Sequence, residues 1–191
     1  MSMRVTLASG SPQRSEILQK LGVEFEVVVP GVEELTRGDP EHLVVENARR
    51  KAMAVEAEGL VIACDTDVVL DGEVLGKPAD EREARAYLDR MSGREHTVMS
   101  GLVVRDYKLS PHTGDNLQCG VEKTTVVFKQ LTDAEKDRYV RFGEWQGRSG
   151  GYAIQTLGST LVARLEGSVS NVVGLPVGLL AELAPPLFER S

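Results

Sequence analysis

The chain has 191 residues and a formal net charge of −7 at pH 7, with 27% charged and 41% hydrophobic residues. This length predicts one domain, 1–191, with room for a substantial core. The negative charge argues against a protein that binds nucleic acid polymers or anionic membranes, since both require a basic surface, but it does not exclude a local cationic pocket for one nucleotide.

Apolar periodicity predicts alternating strands and helices early in the chain, followed by a long antiparallel pair of strands. The predicted strands are 3–8, 24–29, 60–64, 67–71, 96–106, 120–129 and 160–166. The predicted helices are 12–21, 40–58, 80–91, 132–142 and 176–187. The polar segment 107–118 is typical of a hairpin loop. Together these elements predict an α/β fold around a mixed sheet.

The segment LASGSPQRSEIL, residues 7–18, leads from the first predicted strand into the first predicted helix. Ser11 is a good helix N-cap, and Pro12 suits the first helical position. The free N–H groups and the positive dipole end of such a helix form an anion-binding site. Arg14 lies in line with the apolar stripe that contains Ile17. It therefore either points into this site or extends to solvent from an ordinary capped helix.

The helix predicted at 40–58 has one charged residue on its apolar face. At about 100° per residue, Lys51 falls between Ala48 and Val55. An unpaired buried charge is costly, so Lys51 needs either a partner or a wet pocket. Two interpretations are open: a structural pair with a carboxylate, and a lysine that binds an anionic ligand.

Residues 60–78, LVIACDTDVVLDGEVLGKP, place acidic side chains after an apolar run. The run predicts a buried strand that ends at Asp65-Thr66-Asp67, at a sheet edge where open α/β sheets bind ligands. Asp65 and Asp67 alternate along an extended chain, so they share one side and could hold a hard cation such as Mg²⁺. A turn whose aspartates bind their own backbone is the alternative. Lys77 follows on a loop shaped by glycine and proline, and the P-loop sequence is absent.

Two further segments supply polar groups. Glu33 and Glu34 follow a predicted strand and add carboxylates, although a charged turn explains them equally well. Residues 147–176 are rich in glycine and contain Gln155 and Asn171 among apolar neighbours. Glycine permits close backbone approach, and a side-chain amide can read the edge of a base. A glycine-rich loop without such a role is the alternative.

Cysteine and histidine usage argues against two other classes of protein. Cys64 and Cys119 are too few for a disulfide framework, which favours a reducing compartment. The three histidines show no metal-ligand spacing, which argues against a zinc enzyme. The sequence shows neither a signal pattern nor an apolar run of membrane-spanning length, so we expect a cytoplasmic protein that does not associate with a membrane.

Seven sequence blocks follow one another through nearly the whole chain. They are LASGSPQRSEIL, GVEE, RRKA, ACDTDVVLDGEVLGKP, YLDRMSGREHTVMSG, and GGYAIQ with GSVSNVVGLP. Together they resemble the Maf family of nucleoside triphosphate pyrophosphatases. The Asp65-Thr66 pair and the YAIQ block are similar to the subgroup that acts on dTTP and UTP rather than on 7-methyl-GTP. The resemblance implies a Maf/ITPase-like fold, with a twisted mixed sheet, flanking helices and two lobes about a central cleft, and a homodimer.

The same resemblance, carried over by position, implies an active site. Asp65 is the implied proton acceptor. With Glu34 it is also the implied ligand of a divalent cation, Mg²⁺ with Mn²⁺ as the alternative. Lys51 and Lys77 are the implied catalytic cations. The implied triphosphate-binding residues are Ser9, Ser11 and Arg14. The implied base-specificity residues are Gln13, Thr66 and Gln155.

The sequence departs from the family pattern at three positions. Gln13 stands where the dTTP/UTP subgroup usually has an arginine, which leaves open the preferred base and whether a modified nucleotide is used. Cys64 replaces the usual alanine, and Thr156 replaces the usual glycine.

The implied activity is that of a house-cleaning hydrolase of nucleotide metabolism. It would cleave dTTP or UTP between the α and β phosphates, giving the monophosphate and pyrophosphate. A non-catalytic nucleotide-binding regulator of septum formation in cell division is the alternative. Asp65 and Glu34 do not suit such a binder, because carboxylates repel a triphosphate unless a cation intervenes. A phosphatase that releases orthophosphate is a second alternative.

Overall fold

The computed structural model describes residues 3–106 and 116–189. Within these residues, seven strands form one mixed sheet in the order β2-β1-β3-β5-β6-β7, with β4 paired to β3 outside this path. The strands are β1 (Val5–Leu7), β2 (Glu26–Val27), β3 (Leu60–Leu70), β4 (Glu73–Leu75), β5 (Glu95–Asp106), β6 (Leu117–Phe128) and β7 (Val162–Glu166). β1 runs parallel to β2 and β3, and the other pairs are antiparallel. The predicted α/β fold with a mixed sheet is confirmed.

Six α-helices flank the sheet in the described part of the chain. They are α1 (Pro12–Lys20), α2 (Pro40–Met53), α3 (Glu81–Met91), α4 (Asp133–Phe142), α5 (Val169–Val173) and α6 (Val177–Leu183). Short 3₁₀ turns span Ser149–Gly151, Thr156–Thr160 and Pro185–Leu187. Five of the helices match predicted ones, although α6 ends at Leu183 and not at the predicted residue 187, because Pro185 and Pro186 cannot continue it. The sequence does not predict α5, because a helix of one turn shows no apolar periodicity.

Helix α2 begins as its sequence indicates but ends at Met53, before the predicted end at residue 58. Asp39 caps the helix by accepting a hydrogen bond from the His42 N–H at 3.0 Å. Just beyond the helix, the Val55 carbonyl accepts a hydrogen bond from Arg105 Nη2 at 2.5 Å. This tertiary bond from β5 holds the chain after Met53 in a non-helical path toward β3.

The same helix lies directly on the sheet at Gly101 of β5. A Cβ atom there would come within 2.3 Å of the Val44 backbone, so only glycine permits this approach. Gly101 pairs with Asp65 of β3. The absent side chain therefore lets the middle of α2 lie against β3 at Asp65.

Strand β3 is continuous through Asp65-Thr66-Asp67, where the sequence predicts a break between two strands. Its antiparallel pairing with β5 is unbroken from Leu60 to Val69. The prediction that the strand ends at the carboxylates is therefore wrong. The ladder to β5 satisfies the backbone of this segment, and side chains from other elements bind the two carboxylates.

The other edge of β3 is open at these same residues. β1 ends at Leu7 opposite Ile62, and the pairing of β4 begins at Val68. Within the described chain, residues 63–67 of β3 therefore have no strand partner on this side. The gap lies beyond the carboxyl end of β1, so the acidic residues still occupy the part of an α/β sheet that commonly binds ligands.

Two buried apolar clusters lie on either side of this gap along β3. One contains Val68 and Leu70 together with side chains of α3 and α4. The other contains Ile62 and Cys64 together with side chains of α1 and α6. A third cluster packs α2 against the other face of β3. Strand β3 thus joins two lobes, and Asp65 to Asp67 lie between their cores.

The predicted hairpin loop at 107–118 lies mostly outside the described residues, although β5 and β6 pair on either side of it. None of the helices in 3–106 and 116–189 combines the length and the apolar character needed to cross a membrane. The expectation of one domain over 1–191 stays a prediction.

Candidate active site

A cavity of about 400 Å³ opens at the gap beside β3. The ten site residues that the sequence predicts all line it: Ser9, Ser11, Gln13, Arg14, Glu34, Lys51, Asp65, Thr66, Lys77 and Gln155. They come from the start of α1, the loop before α2, α2 itself, β3, the loop after β4 and the segment before α5. The fold therefore brings side chains from distant parts of the sequence to one pocket.

Arg14 is only 9% exposed, and its guanidinium group binds neutral acceptors. Nε donates to the Gly174 carbonyl at 2.8 Å, Nη1 to Ser9 Oγ at 3.0 Å and Nη2 to Thr66 Oγ1 at 3.2 Å. No carboxylate in the described residues pairs with it. These neutral acceptors orient the side chain but do not compensate its positive charge. The pocket therefore holds a buried positive charge that an anion would neutralise. The interpretation that Arg14 extends to solvent is wrong.

The two serines support the start of α1 in different ways. Ser11 occupies the N-cap position, but its hydroxyl donates to Gln13 Oε1 at 3.1 Å instead of capping the helix. Ser9 Oγ accepts from the Ser11 N–H at 3.2 Å. Among the residues described, the backbone N–H groups of Gln13 and Arg14 have no acceptor. The first turn of α1 thus presents free donors to the cavity, as an anion-binding helix end requires.

Lys51 forms a buried pair with two carboxylates. Its Nζ lies 2.5 Å from Asp65 Oδ1 and 2.5 Å from Glu34 Oε1. The Lys51 and Asp65 side chains are 9% and 10% exposed, whereas that of Glu34 is 39% exposed. Lys51 therefore lies on the inward face of α2 as predicted, and its pairing with a carboxylate is confirmed. Because the pair lines the cavity, the ligand-binding interpretation is compatible with it and stays a prediction.

Asn47 lies one turn before Lys51 on α2 and is a polar site residue that the sequence analysis missed. Its Nδ2 donates to Asp65 Oδ2 and to the Leu35 carbonyl, both at 3.0 Å. Its Oδ1 accepts from the Leu35 N–H at 2.7 Å. Asn47 thereby fixes both Asp65 and the segment that follows Glu34. The i, i+4 spacing of Asn47 and Lys51 on one helix face is the signal that could have found it.

Asp67 is a second carboxylate on the cavity side of β3, as its alternation with Asp65 predicts. The Ser149 hydroxyl lies 2.9 Å from Asp67 Oδ1. Burial raises the pKa of Asp67 from 3.8 to about 6, and repulsion from Asp65 adds to the rise. The Ser149 hydrogen bond opposes it, while Glu34 contributes further repulsion. The pocket therefore carries more negative charge on this side than Lys51 neutralises.

The carboxylates of Glu34, Asp65 and Asp67 are oxygen donors of the kind that Mg²⁺ prefers. In the described residues, no group of three or more His, Cys, Asp or Glu side chains is arranged to hold a metal ion by itself. Mg²⁺ at nucleotide sites commonly binds one or two carboxylates together with the phosphates of the substrate. The donor set therefore fits a cation that is bound jointly by the protein and a polyphosphate.

Lys77 lies exposed on the loop after β4, and no described residue forms an ion pair with it. The Gly76 carbonyl accepts a hydrogen bond from the Gly150 N–H at 3.0 Å. Gly150 has φ +70°, and a Cβ there would lie 2.5 Å from the Val68 side chain. Glycine at this position lets the Ser149–Gly151 turn pack on β3 and tie the Lys77 loop to the cavity wall.

Gln155 is exposed to the cavity directly before the Thr156–Thr160 turn. Thr156 has φ 45°, in the left-handed region that favours glycine and strains a β-branched residue. This is the position at which the family pattern has glycine. The departure therefore places backbone strain next to a predicted base-specificity residue.

Thr66, another predicted specificity residue, contacts Arg14 rather than standing free in the cavity. Besides accepting from Arg14, its Oγ1 lies 2.8 Å from Ser100 Oγ. Cys64, the unusual neighbour on β3, is fully buried and its Sγ lies 3.5 Å from the Gly174 carbonyl that also binds Arg14. These contacts make the β3 side chains part of the support for the Arg14 guanidinium.

Asn171 is not among the residues that line the cavity, and the interpretation that its amide reads a base is wrong. It is fully buried, and its Nδ2 donates to the Val98 carbonyl at 3.1 Å and to Thr124 Oγ1 at 3.0 Å. The amide therefore binds polar groups of β5 and β6 beneath α5, which is a structural role.

Tyr152 is an aromatic residue of the cavity wall that the sequence analysis did not single out. Its hydroxyl lies 2.7 Å from His96 Nε2. Burial lowers the pKa of His96 to about 4, so this imidazole is neutral at pH 7. His96 supports Tyr152 from within the core and lies behind the cavity wall.

Comparison with known proteins gives consistent matches. The model of the family described as Maf-like protein matches residues 4–185. A dTTP/UTP pyrophosphatase of Deinococcus radiodurans is 47% identical over 184 residues, which are 94% of this chain and 91% of the relative. A dTTP/UTP pyrophosphatase of Pelotomaculum thermopropionicum is 42% identical over 184 residues, 94% of both chains. One of Anaeromyxobacter sp. is 47% identical over 186 residues, 96% of this chain and 89% of the relative.

Proposed function

The chain belongs to the Maf-like family, and we propose that it is a nucleoside triphosphate pyrophosphatase that hydrolyses dTTP or UTP to the monophosphate and pyrophosphate. One observation carries this proposal: a single pocket holds the paired Lys51 and Asp65 beside Arg14, a buried cation without a carboxylate partner. A polyanion satisfies Arg14, and the neighbouring carboxylates supply a base. The same pocket thus has parts for binding and for hydrolysis.

Arg14, Ser9 and the first turn of α1 bind the phosphates in this proposal. The guanidinium is held in place before the ligand arrives, so little reorganisation is needed on binding. The free N–H groups of the turn add donors and a favourable dipole. Ser11 shapes this turn, and Lys77 brings a further cation from the loop after β4.

Asp65 accepts the proton of the attacking water. In the structure, its Oδ1 contacts Lys51 and its Oδ2 contacts Asn47. The incoming triphosphate competes with Asp65 for the Lys51 ammonium, and this transfer of Lys51 to a phosphate oxygen frees Oδ1 for the water. Lys51 and Lys77 then stabilise the charge that develops as the bond to pyrophosphate breaks. A preorganised donor of this type is worth about 3–4 kcal/mol of barrier.

Glu34 and Asp65 hold the divalent cation in this proposal, Mg²⁺ with Mn²⁺ as the alternative, and Asp67 offers a further oxygen. When bound, such a cation withdraws charge from the phosphates and lowers the pKa of coordinated water. Burial is the main cause of the rise in the pKa of Asp67, and repulsion from Asp65 and Glu34 adds to it; this repulsion supports the assignment, because a cation would compensate it.

Gln13, Thr66 and Gln155 set the preference for a base. Gln13 and Gln155 present side-chain amides with both donors and acceptors, which suits the paired polar edge of a pyrimidine. Thr66 acts through Arg14, since its hydroxyl binds that guanidinium. Gln13 in place of an arginine is the feature that leaves room for a modified nucleotide.

Assembly and location complete the proposal. Val27 (49% exposed) ends the edge strand β2 and Val28 (38% exposed) follows it, and this exposed apolar edge of the sheet supports a homodimer. Two free cysteines support a reducing, cytoplasmic setting.

The alternative of a non-catalytic regulator is not favoured, since the curated relatives are named pyrophosphatases.

The substitution Asp65→Asn tests the proposed base. It keeps the size of the side chain but removes the proton acceptor, so turnover of dTTP should fall at least 1,000-fold. Binding of dTTP, measured by calorimetry, should persist because Arg14 and the start of α1 are unchanged. Asp71→Asn is the matched control, at the exposed turn after β3 where φ 55° suits asparagine. Turnover that survives Asp65→Asn would move the base to another residue.

A further inference from the structure

We propose that Arg148 is a further substrate-binding residue that contacts the pyrophosphate portion of the triphosphate and stabilises it as the leaving group. This inference rests on the proposed function. Arg148 lines the same cavity as Arg14 and Lys77, and it is half-buried. Neither the sequence blocks nor the predicted site residues include it as a functional group.

The guanidinium group of Arg148 is held through Nε, whereas its terminal nitrogens are unbound in the described part of the chain. Its Nε donates to the Glu144 carbonyl at 2.9 Å, just beyond the end of α4. Its Nη1 and Nη2 atoms have no hydrogen bond or ion pair with any described residue. A guanidinium held through Nε keeps its planar pair of terminal donors ready for a bidentate acceptor such as phosphate. The arrangement matches a ligand-binding arginine better than a structural one.

The loop that carries Arg148 is tied to the reacting part of the pocket. The next residue, Ser149, places its hydroxyl 2.9 Å from Asp67 Oδ1. Gly150 then donates to the Gly76 carbonyl, directly before Lys77. Arg148 and Lys77 therefore stand on two loops that are fastened to each other and to β3. Two free cations on one wall form a site for the terminal phosphates.

The cationic side chains of the pocket can be assigned to different parts of a bound triphosphate. Arg14, Lys51, Lys77 and Arg148 line the cavity together with Glu34, Asp65 and Asp67. Lys51 is already matched by Asp65 and Glu34. Of the remaining cations, Arg14 is fixed near the start of α1, where the helix end supplies further donors. Lys77 and Arg148 remain for the two outer phosphates, whose negative charge increases as pyrophosphate leaves.

Competition by the two products tests this assignment. With Arg148→Gln, the KM for dTTP and the inhibition constant of inorganic pyrophosphate should each rise about tenfold. The inhibition constant of dTMP should change less than twofold, because dTMP lacks the two outer phosphates. Arg148→Lys, which keeps a point charge but loses the bidentate group, should give intermediate values. The matched control is Arg141→Gln on the exposed surface of α4, which should behave as wild type.

Calorimetry with pyrophosphate and Mg²⁺ separates this inference from the proposed activity, because it requires no turnover. Weaker binding of pyrophosphate to Arg148→Gln than to wild type supports the inference even where dTTP is not the substrate. Unchanged pyrophosphate binding, equal weakening of pyrophosphate and dTMP, or no binding of pyrophosphate to the wild type would each overturn it. Should Arg148→Gln fail to fold, Arg148→Lys gives the same comparison.

Discussion

At the scale of single residues, the cations and carboxylates of the pocket differ in how the protein compensates their charge. Arg14 is bound by neutral dipoles, whereas Lys51 is bound by two carboxylates. Asp65 has donors on both oxygens, whereas Asp67 is bound by Ser149 and lies close to like charges. The charges of Arg14 and Asp67 are therefore the ones that the protein leaves uncompensated. Arg14 should respond most to an anionic ligand, and Asp67 should respond most to pH.

The raised pKa of Asp67 makes the stability of the protein depend on pH. Its value moves from 3.8 to about 6 on folding, so the folded state binds the proton more tightly than the unfolded state. The stability from this group is fully present below pH 4 and is lost as pH rises toward 6 and beyond. Asp67→Asn removes the charge and should therefore stabilise the protein at pH 8 by about 2–3 kcal/mol more than at pH 4.

Urea unfolding of wild type and Asp67→Asn at pH 4 and pH 8 measures this difference. Mg²⁺ is left out, because a bound cation would compensate the same charge. Asp67→Asn would then change the stability equally at the two pH values only if the ionisation of Asp67 did not matter, and this result would contradict the raised pKa.

At the scale of elements, the contact between α2 and β3 depends on the buried pair. Lys51→Met leaves Asp65 and Glu34 without their cation, so the free energy of unfolding should fall by about 3 kcal/mol. Adding Asp65→Asn to Lys51→Met should recover part of this loss, because it removes the most buried of the unpaired charges. Chemical denaturation of the single and double variants measures both effects.

The exposed pair of Lys123 and Glu41 provides the control for this experiment. Their side chains are 49% and 51% exposed, and Lys123→Met should cost less than about 1 kcal/mol. A Lys51→Met protein as stable as Lys123→Met would show that the pair does not hold α2 against β3, and the same conclusion follows if the double variant recovers nothing.

The Thr156–Thr160 turn contains a strained residue that a single change should relax. Thr156 is exposed and has φ 45°, so Thr156→Gly should raise the free energy of unfolding by about 1 kcal/mol. Thr160, in the same turn, is not among the residues with positive φ. Thr160→Gly should therefore lower the stability, since glycine adds freedom to the unfolded chain. Thermal unfolding of the two variants compares them, and destabilisation by Thr156→Gly would contradict the assignment of strain.

The elements also show what the sequence could predict. Long periodic segments such as α3 and the β5–β6 pair are found from their apolar pattern alone. The end of α2 and the continuity of β3 are not, because each depends on a partner distant in the sequence. Arg105 redirects the chain after Met53, and β5 carries the ladder past Asp65. A polar interruption in an apolar run is indistinguishable from a turn until that partner strand is known.

At the scale of the whole molecule, the pocket is the gap between β1 and β4 along β3, closed by loops of both lobes. Some of its residues could be predicted from an unusual local pattern, such as Lys51 on the apolar face of a helix. Others, such as Gln155, could be predicted because they lie in the sequence blocks of the family. Asn47 and Arg148 were not predicted, because an amide and an arginine are ordinary on a helix and in a loop. The contacts with Leu35 and Glu144 distinguish these two residues, and for Asn47 the i, i+4 spacing to Lys51 is the only signal in the sequence.

Hydrolysis of dTTP in H₂¹⁸O with Mg²⁺, followed by mass spectrometry of all products, tests the central claim most directly. Attack of water on the α-phosphorus predicts equal amounts of dTMP and pyrophosphate, with one ¹⁸O atom in dTMP and none in pyrophosphate. The formation of dTDP and orthophosphate, the appearance of the label in pyrophosphate, or the absence of turnover with both dTTP and UTP would contradict the account.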